Sequence, residues 1–234
     1  PGEIVSISIG GRTARAAGGA SGRWRAELPA MEAGGPHTLT VTSSSGRAAT
    51  VTDILVGDVW LCSGQSNMEL PVSRTLNAED EIRRAANDSI RLLTVAHADS
   101  PAPLDELRSP VAWRTAAPET VRSFSGTCYY FARELQKTVK VPMGLIHSSW
   151  GGSTIEAWIG AAGLRAAGGF DERLGLLDLY ARDRVAAVAR LGEMWEAWWR
   201  SRAPAGDEPW RSRSDDGWRP VPASLGSWRA WGVP

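Results

Sequence analysis

Asp53-Ile54-Leu55-Val56-Gly57-Asp58-Val59-Trp60-Leu61-Cys62-Ser63-Gly64-Gln65-Ser66-Asn67-Met68-Glu69 is the stretch on which the reading of this chain turns. Ile54-Leu55-Val56 and Val59-Trp60-Leu61 form a near-continuous apolar run. Such a run predicts a parallel strand buried on both faces, here from Ile54 to Cys62. Gly64 breaks the run, and a serine follows on the turn. A turn at the carboxyl end of a parallel strand lifts a hydroxyl above the sheet and leaves backbone N–H groups free to face a ligand. Ser66 then has two readings. It is a nucleophile at a strand-to-turn switch, or it caps a short helix in which Glu69, three residues on, completes a capping box. Met68 stands where a G-x-S-x-G elbow carries its second glycine, so the pattern is not that elbow.

Outward from this stretch the chain alternates strand and helix. Ser89 to Val95 reads as a second strand. Gly126 to Lys140 reads as a helix, with Cys128, Phe131, Leu135 and Val139 on one face and Ser125 as its N-cap. Pro142 stops it, and Met143 to Ile146 begins a third strand. Strand, helix and strand in this order imply a parallel sheet. Residues 1–52 read instead as β structure split by glycine turns. Ile4–Ile9, Trp24–Leu28 and His37–Thr42 each alternate apolar and polar residues, as in part of a β-sandwich. Leu174 to Trp199 predicts one long or broken helix, weakened at Gly175 and Gly192. Seven of the 12 tryptophans lie beyond residue 190, which argues for a packed unit there and against a disordered linker.

Composition narrows the function classes. Hydrophobic residues make up 43% of the 234 and charged residues 22%, ordinary for a globular domain. The formal net charge of +0 gives no reason to expect nucleic acid or an anionic membrane surface as a partner. No apolar run reaches the ~20 residues a spanning helix needs. The N-terminus carries no basic region followed by an apolar one. Cys62 and Cys128 are too few for a disulfide framework and are expected as buried free thiols. No metal or phosphate-loop signature is present, so no metal and no cofactor are expected.

Two further groups bear on the chemistry. Ser148-Ser149-Trp150-Gly151-Gly152-Ser153 again follows an apolar strand. Its glycines let a backbone N–H approach a ligand closely, as an oxyanion donor would, although an ordinary turn uses the same residues. A serine nucleophile also needs a base, and there are three histidines. His37 lies in the β region and His97 in a polar loop. His147, at the end of the third strand, either lines the cleft or makes a structural hydrogen bond beside the turn, the commoner role.

Gly57 to Glu69 closely resembles the nucleophile block of sialate O-acetylesterases, members of the SGNH hydrolase superfamily. Val141 to Trp158 is similar to that family's second block, and Pro1-Gly2-Glu3 through Gly34-Gly35-Pro36 to its N-terminal β region. The resemblance is strong to about residue 160 and weak beyond. It implies an α/β fold: a three-layer α/β/α flavodoxin-like core over residues 53–200, preceded by a partial β-sandwich over residues 1–52. Asp215-Asp216-Gly217-Trp218 resembles the start of an inserted sugar-binding sandwich, expected over residues 201–234. Ser66 would be the nucleophile, with the N–H groups of Ser66 and of Gly151-Gly152 holding the oxyanion and Gln65 and Asn67 beside the substrate. The substrate would be an O-acetylated sugar such as sialic acid, and family members usually act outside the cytoplasm.

The chain departs from the family in two places. The family's base lies on a late D-x-x-H segment, yet Gly34, Thr94 and Gly144 precede the three histidines by three residues. A Tyr-Gln-Gly-Glu segment is also absent. The expectation is a fragment cut at both ends, holding the nucleophile and lacking the base. The alternative is a carbohydrate-binding protein with an inactive hydrolase core, supported by the tryptophan-rich tail.

Overall fold

A computed structural model describes residues 2–203 and residue 208. The second β-sandwich expected over residues 201–234 falls almost wholly outside the described residues. An antiparallel sheet comes first, in the order β2-β1-β3-β4. Its strands are β1 (Ile4–Ile9), β2 (Arg12–Ala17), β3 (Gly34–Ser43) and β4 (Ala48–Val56). In β1 the period-2 pattern holds, with Val5, Ile7 and Ile9 buried. Gly10 and Gly11 join β1 to β2 with φ of 52° and 75°, the left-handed pair that a two-residue hairpin requires. The strand expected at Trp24–Leu28 does not form, and Trp24 is exposed.

The run from Ile54 to Cys62 is not one strand. β4 ends at Val56 and β5 (Asp58–Gly64) opens a different sheet. The break falls at Gly57, where a Cβ would lie 2.0 Å from the Pro142 carbonyl oxygen, and Asp58 N–H donates to that same oxygen at 3.0 Å. Only glycine permits this approach. The second sheet has the order β5-β8-β6-β7, with β6 at Asn87–Thr94, β7 at Arg114–Ala116 and β8 at Met143–Ser149. β8 pairs in parallel with both β5 and β6, while β7 is antiparallel. β5 is therefore an edge strand and not one buried on both faces: Val59 is 62% and Leu61 67% exposed. Arg91 of β6 grips the Asp53 carboxylate of β4 at 2.8 and 2.9 Å, a tie between the two sheets.

Helices α1 (Ser66–Glu69) and α2 (Ala78–Arg83) follow β5, and α3 (Pro118–Val121) and α4 (Gly126–Val139) precede β8. Ser125 caps α4 by accepting the Cys128 N–H at 3.2 Å. Lys140 ends the helix in the left-handed conformation. The buried face of α4 is the expected one only in part: Cys128 and Leu135 pack on the core as expected. Cys128, Tyr129 and Ala132 face the core, whereas Phe131 and Val139 are exposed, Phe131 set edge-to-face on Trp60 at 5.0 Å. The core gathers Val72, Ile82, Ile90, Leu92, Val121, Phe124, Met143 and Leu145 around these residues.

Cys62 and Cys128 are not free thiols: they form a disulfide between β5 and α4. They are 66 residues apart in sequence, so no spacing pattern announces the pair; packing of α4 on the sheet brings their Cα atoms to 5.8 Å. The chain divides into two compact units between Gly168 and Gly169. The first closes with α5 (Ala161–Ala167). The second contains α6 (Asp171–Arg182) and α7 (Arg184–Arg200). The break in the expected helix falls at Asp183, whose carboxylate accepts the Ala186 N–H at 3.0 Å as N-cap of α7; Gly175 and Gly192 lie inside helices.

Candidate active site

The site lies at the carboxyl ends of β5 and β8. Their parallel register sets Gly64 beside Ser149, and Trp150 N–H extends the ladder by donating to Gly64 O at 2.9 Å. The turn after β5 and the turn after β8 are thereby neighbours. Gly64 has φ of +139°, Gln65 is the N-cap, and Ser66 is the first residue of α1. The capping-box reading fails, since no side chain caps α1. Ser66 Oγ–H donates to Gln65 Oε1 at 2.9 Å. Glu69 turns away from its own helix start, towards the β8 turn.

Glu69 is the residue that sequence reasoning misassigned. Its Oε2 accepts the Gly151 N–H at 2.5 Å, and its Oε1 lies 3.0 Å from His97 Nε2. The same Nε2 lies 2.9 Å from the Ser149 carbonyl oxygen. Both neighbours are acceptors, so His97 carries its proton on Nε2. The His97 ring also stacks on Trp150, with centroids 4.4 Å apart and planes 4° from parallel. The S-x-x-E spacing held the only signal for Glu69, and that spacing pointed to the wrong partner.

Gly151 packs directly on the candidate serine. A Cβ at Gly151 would stand 3.7 Å from Ser66 Cα and Cβ and 2.7 Å from Glu69 Oε2. Gly152 has φ of +81° and open space around it. A cleft of about 770 Å³ opens beside them, lined by Ser66, Asn67, Glu69, Arg74, His97 and His147 among others. Gln65, Gly151 and Gly152 are not part of that lining, although Gly151 abuts Ser66. The Asn67 carbonyl accepts the Thr127 hydroxyl at 2.9 Å, fastening α1 to α4.

His147 combines both roles considered for it. It lines the cleft and is 7% exposed, with Nε2 2.6 Å from Ser149 Oγ and Nδ1 buried without a hydrogen-bond partner. Burial pushes its pKa below the ordinary imidazole value; the Glu69 carboxylate pulls it up and His97 pushes it down, and burial prevails. His37 lies in β3 of the other sheet. Ser66 Oγ has no hydrogen bond to any of the three histidines.

In this α/β fold a serine hydroxyl and a glycine turn lie at the ends of adjacent parallel strands, and the serine lines the cleft. A family model described as carbohydrate esterase, sialic acid-specific acetylesterase matches residues 56–174. The chain belongs to this family of carbohydrate esterases. It is similar to the sialate O-acetylesterase of Homo sapiens, 37% identical over 158 residues, covering 63% of this chain and 30% of that protein. It is also 39% identical over 168 residues to the sialate O-acetylesterase of Mus musculus, covering 66% of this chain and 31% of that protein. The chain thus spans about 30% of the length of the curated relatives it matches. The crystal structure of a novel carbohydrate acetylesterase from Xanthomonas citri superposes with a TM-score of 0.65 at 36% identity, over 69% of this chain and 37% of that one.

Proposed function

We propose that this chain carries the nucleophile half of an esterase that removes acetyl groups from O-acetylated sugars. The observation behind this reading is the contact of the Gly151 turn with Ser66 at the mouth of a sugar-sized cleft. Ser66 Oγ attacks the acetyl carbonyl and its proton passes to a base. The tetrahedral oxyanion is held by the N–H of Ser66 and by the Gly151-Gly152 turn. Collapse expels the sugar hydroxyl and leaves an acetyl-enzyme, which water cleaves to acetate. His97 is committed to Glu69 and Ser149, and His147 to Ser149, so the base comes from elsewhere in the protein.

Turnover by this chain alone is then slow, since a serine without its base keeps only the oxyanion and binding terms, roughly 10³–10⁴-fold over water in serine hydrolases. Hydrolysis of an aryl acetate should be weak and should fall to background in Ser66→Ala. Equal rates for the two proteins would remove Ser66 from the chemistry. Fast turnover lost in His97→Ala or His147→Ala would show that a base is already present. The second reading, sugar binding by an inactive core, is favoured by one contact: Glu69 occupies the Gly151 N–H that would serve the oxyanion. Sugar binding by the longer protein without any ester hydrolysis would establish it.

A further inference from the structure

Two consecutive glycines do not fix their own geometry, because neither has a Cβ to restrict its backbone. The Gly151-Gly152 turn is anchored at its two ends. Trp150 N–H donates to Gly64 O at 2.9 Å. Ser153 donates to Trp150 O twice, through its N–H at 3.2 Å and its hydroxyl at 2.7 Å. The Trp158 indole N–H donates to Ser153 Oγ at 2.9 Å. Between these anchors one tie reaches the nucleophile side: Gly151 N–H donates to Glu69 Oε2 at 2.5 Å. Among the described residues the Gly152 N–H has no acceptor.

That tie belongs to a closed circuit. Glu69 is on the same short helix as Ser66, so its carboxylate travels with the candidate nucleophile. Its second oxygen, Oε1, accepts from His97 Nε2 at 3.0 Å. The His97 ring lies flat on Trp150, with centroids 4.4 Å apart. Trp150 is the covalent neighbour of Gly151, which closes the path. His97 is held again at the Ser149 carbonyl oxygen, 2.9 Å away. No member of the circuit can leave without breaking two contacts. Both oxygens of Glu69 face N–H donors, and a carboxylate accepts at both. A glutamine there would set its own N–H group against one of the donors.

We propose that Glu69 is the positioning residue of this site: its carboxylate clamps the Gly151-Gly152 turn against Ser66. This rests on the esterase reading of Ser66 and names the group that sets its geometry. A Cβ at Gly151 would stand 3.7 Å from Ser66 Cα and Cβ, so turn and serine are already in contact. A shift of about 1 Å in a group that faces the reacting atoms can cost roughly 10²-fold in rate. The clamp also takes the Gly151 N–H and leaves those of Ser66 and Gly152 to the oxyanion. Glu69 touches no reacting atom in this scheme; it acts through the turn.

The test uses the full chain with Glu69→Gln, a change of nearly equal shape at a half-buried position. Ser66-dependent hydrolysis of an aryl acetate should lose about 10–100-fold in kcat, with KM within about twofold of the parent. His97→Gln keeps an N–H donor for Glu69 and has no basic nitrogen, so it should retain most of the rate. In proton NMR the Gly151 amide resonance, drawn downfield by the carboxylate, should move upfield in Glu69→Gln as a charge-assisted bond gives way to a weaker one. An unchanged kcat in Glu69→Gln, a loss confined to KM, or an unmoved Gly151 resonance would overturn the proposal. A loss in His97→Gln as deep as in Glu69→Gln would make His97 a base and count against it too. The resonance requires no turnover. Failure of the esterase reading, seen as equal rates for the parent and Ser66→Ala, is thereby told apart from failure of the Glu69 clamp.

Discussion

β5 and β8 are both parallel strands that end in a glycine turn at the site, yet they are held by different means. β8 is central: Met143, Leu145, His147 and Ser149 are all buried, and the strand pairs on both sides. β5 pairs on one side only, and Cys62 is its one buried residue. Burial of apolar side chains holds β8. The ladder to β8, the Gly57 approach to Pro142 and the disulfide to α4 hold β5. The candidate nucleophile thus follows the strand with less packing, and the packed strand leads into the turn that faces it. A reacting group at an edge gains access, and its position is recovered through a few specific ties.

The comparison can be broken most severely from the β8 side. Leu145→Ala, at a site with 0% exposure, should cost about 2–5 kcal/mol in chemical denaturation. A loss below about 1 kcal/mol would mean that β8 is not the packed strand. Next comes the tie on β5. Replacing Cys62 and Cys128 together by alanine should cost roughly 2–4 kcal/mol, and a reductant should act on the parent protein alone. Unchanged stability in the double variant would return the hold on β5 to ordinary packing.

A smaller effect separates the strands by pH. His147 is buried on β8 with its pKa pushed below 6.5. Below the unfolded value the unfolded chain binds a proton that the folded chain refuses. Stability should therefore fall as pH drops from about 6.5 towards the folded pKa, by at most about 1.4 kcal/mol per pH unit. Thermal melts of the parent and of His147→Asn should diverge between pH 7 and pH 5, the parent losing more; parallel curves would place the titration elsewhere. The smallest effect belongs to β5. Leu61→Ala, at 67% exposure, should change stability by less than about 0.5 kcal/mol, and a larger loss would reveal a packing partner on that edge.

The same contrast explains what the sequence made legible. β1, β3, β6, α4 and β8 follow from periodicity and punctuation, because each reports a local rule. Ser66 and the Gly151-Gly152 turn were legible for the same reason: both directly follow strands. The apolar run through Gly57 misled because apolar residues on both faces look alike in a strand buried in a sheet and in one at its edge. The face of α4 was legible at Cys128 and Leu135 and misled at Phe131, because Tyr129, with its polar tip, buries its ring while Phe131 stays at the surface beside Trp60. The disulfide and the Glu69–Gly151 bond join residues distant in sequence, 66 apart for the cysteines and 82 for the second pair, so they were out of reach of local pattern.

The Cys62–Cys128 bond also turns part of the chain into a covalent ring. Ser66, Glu69, Arg74, His97 and Arg122 all lie inside it, and the glycine turn of β8 lies outside. A protease that cuts once between Cys62 and Cys128 would open the ring without releasing a fragment. The nicked protein would run as one species until reduced and as two pieces afterwards, so the loops that frame the cleft can be cut without parting the chain.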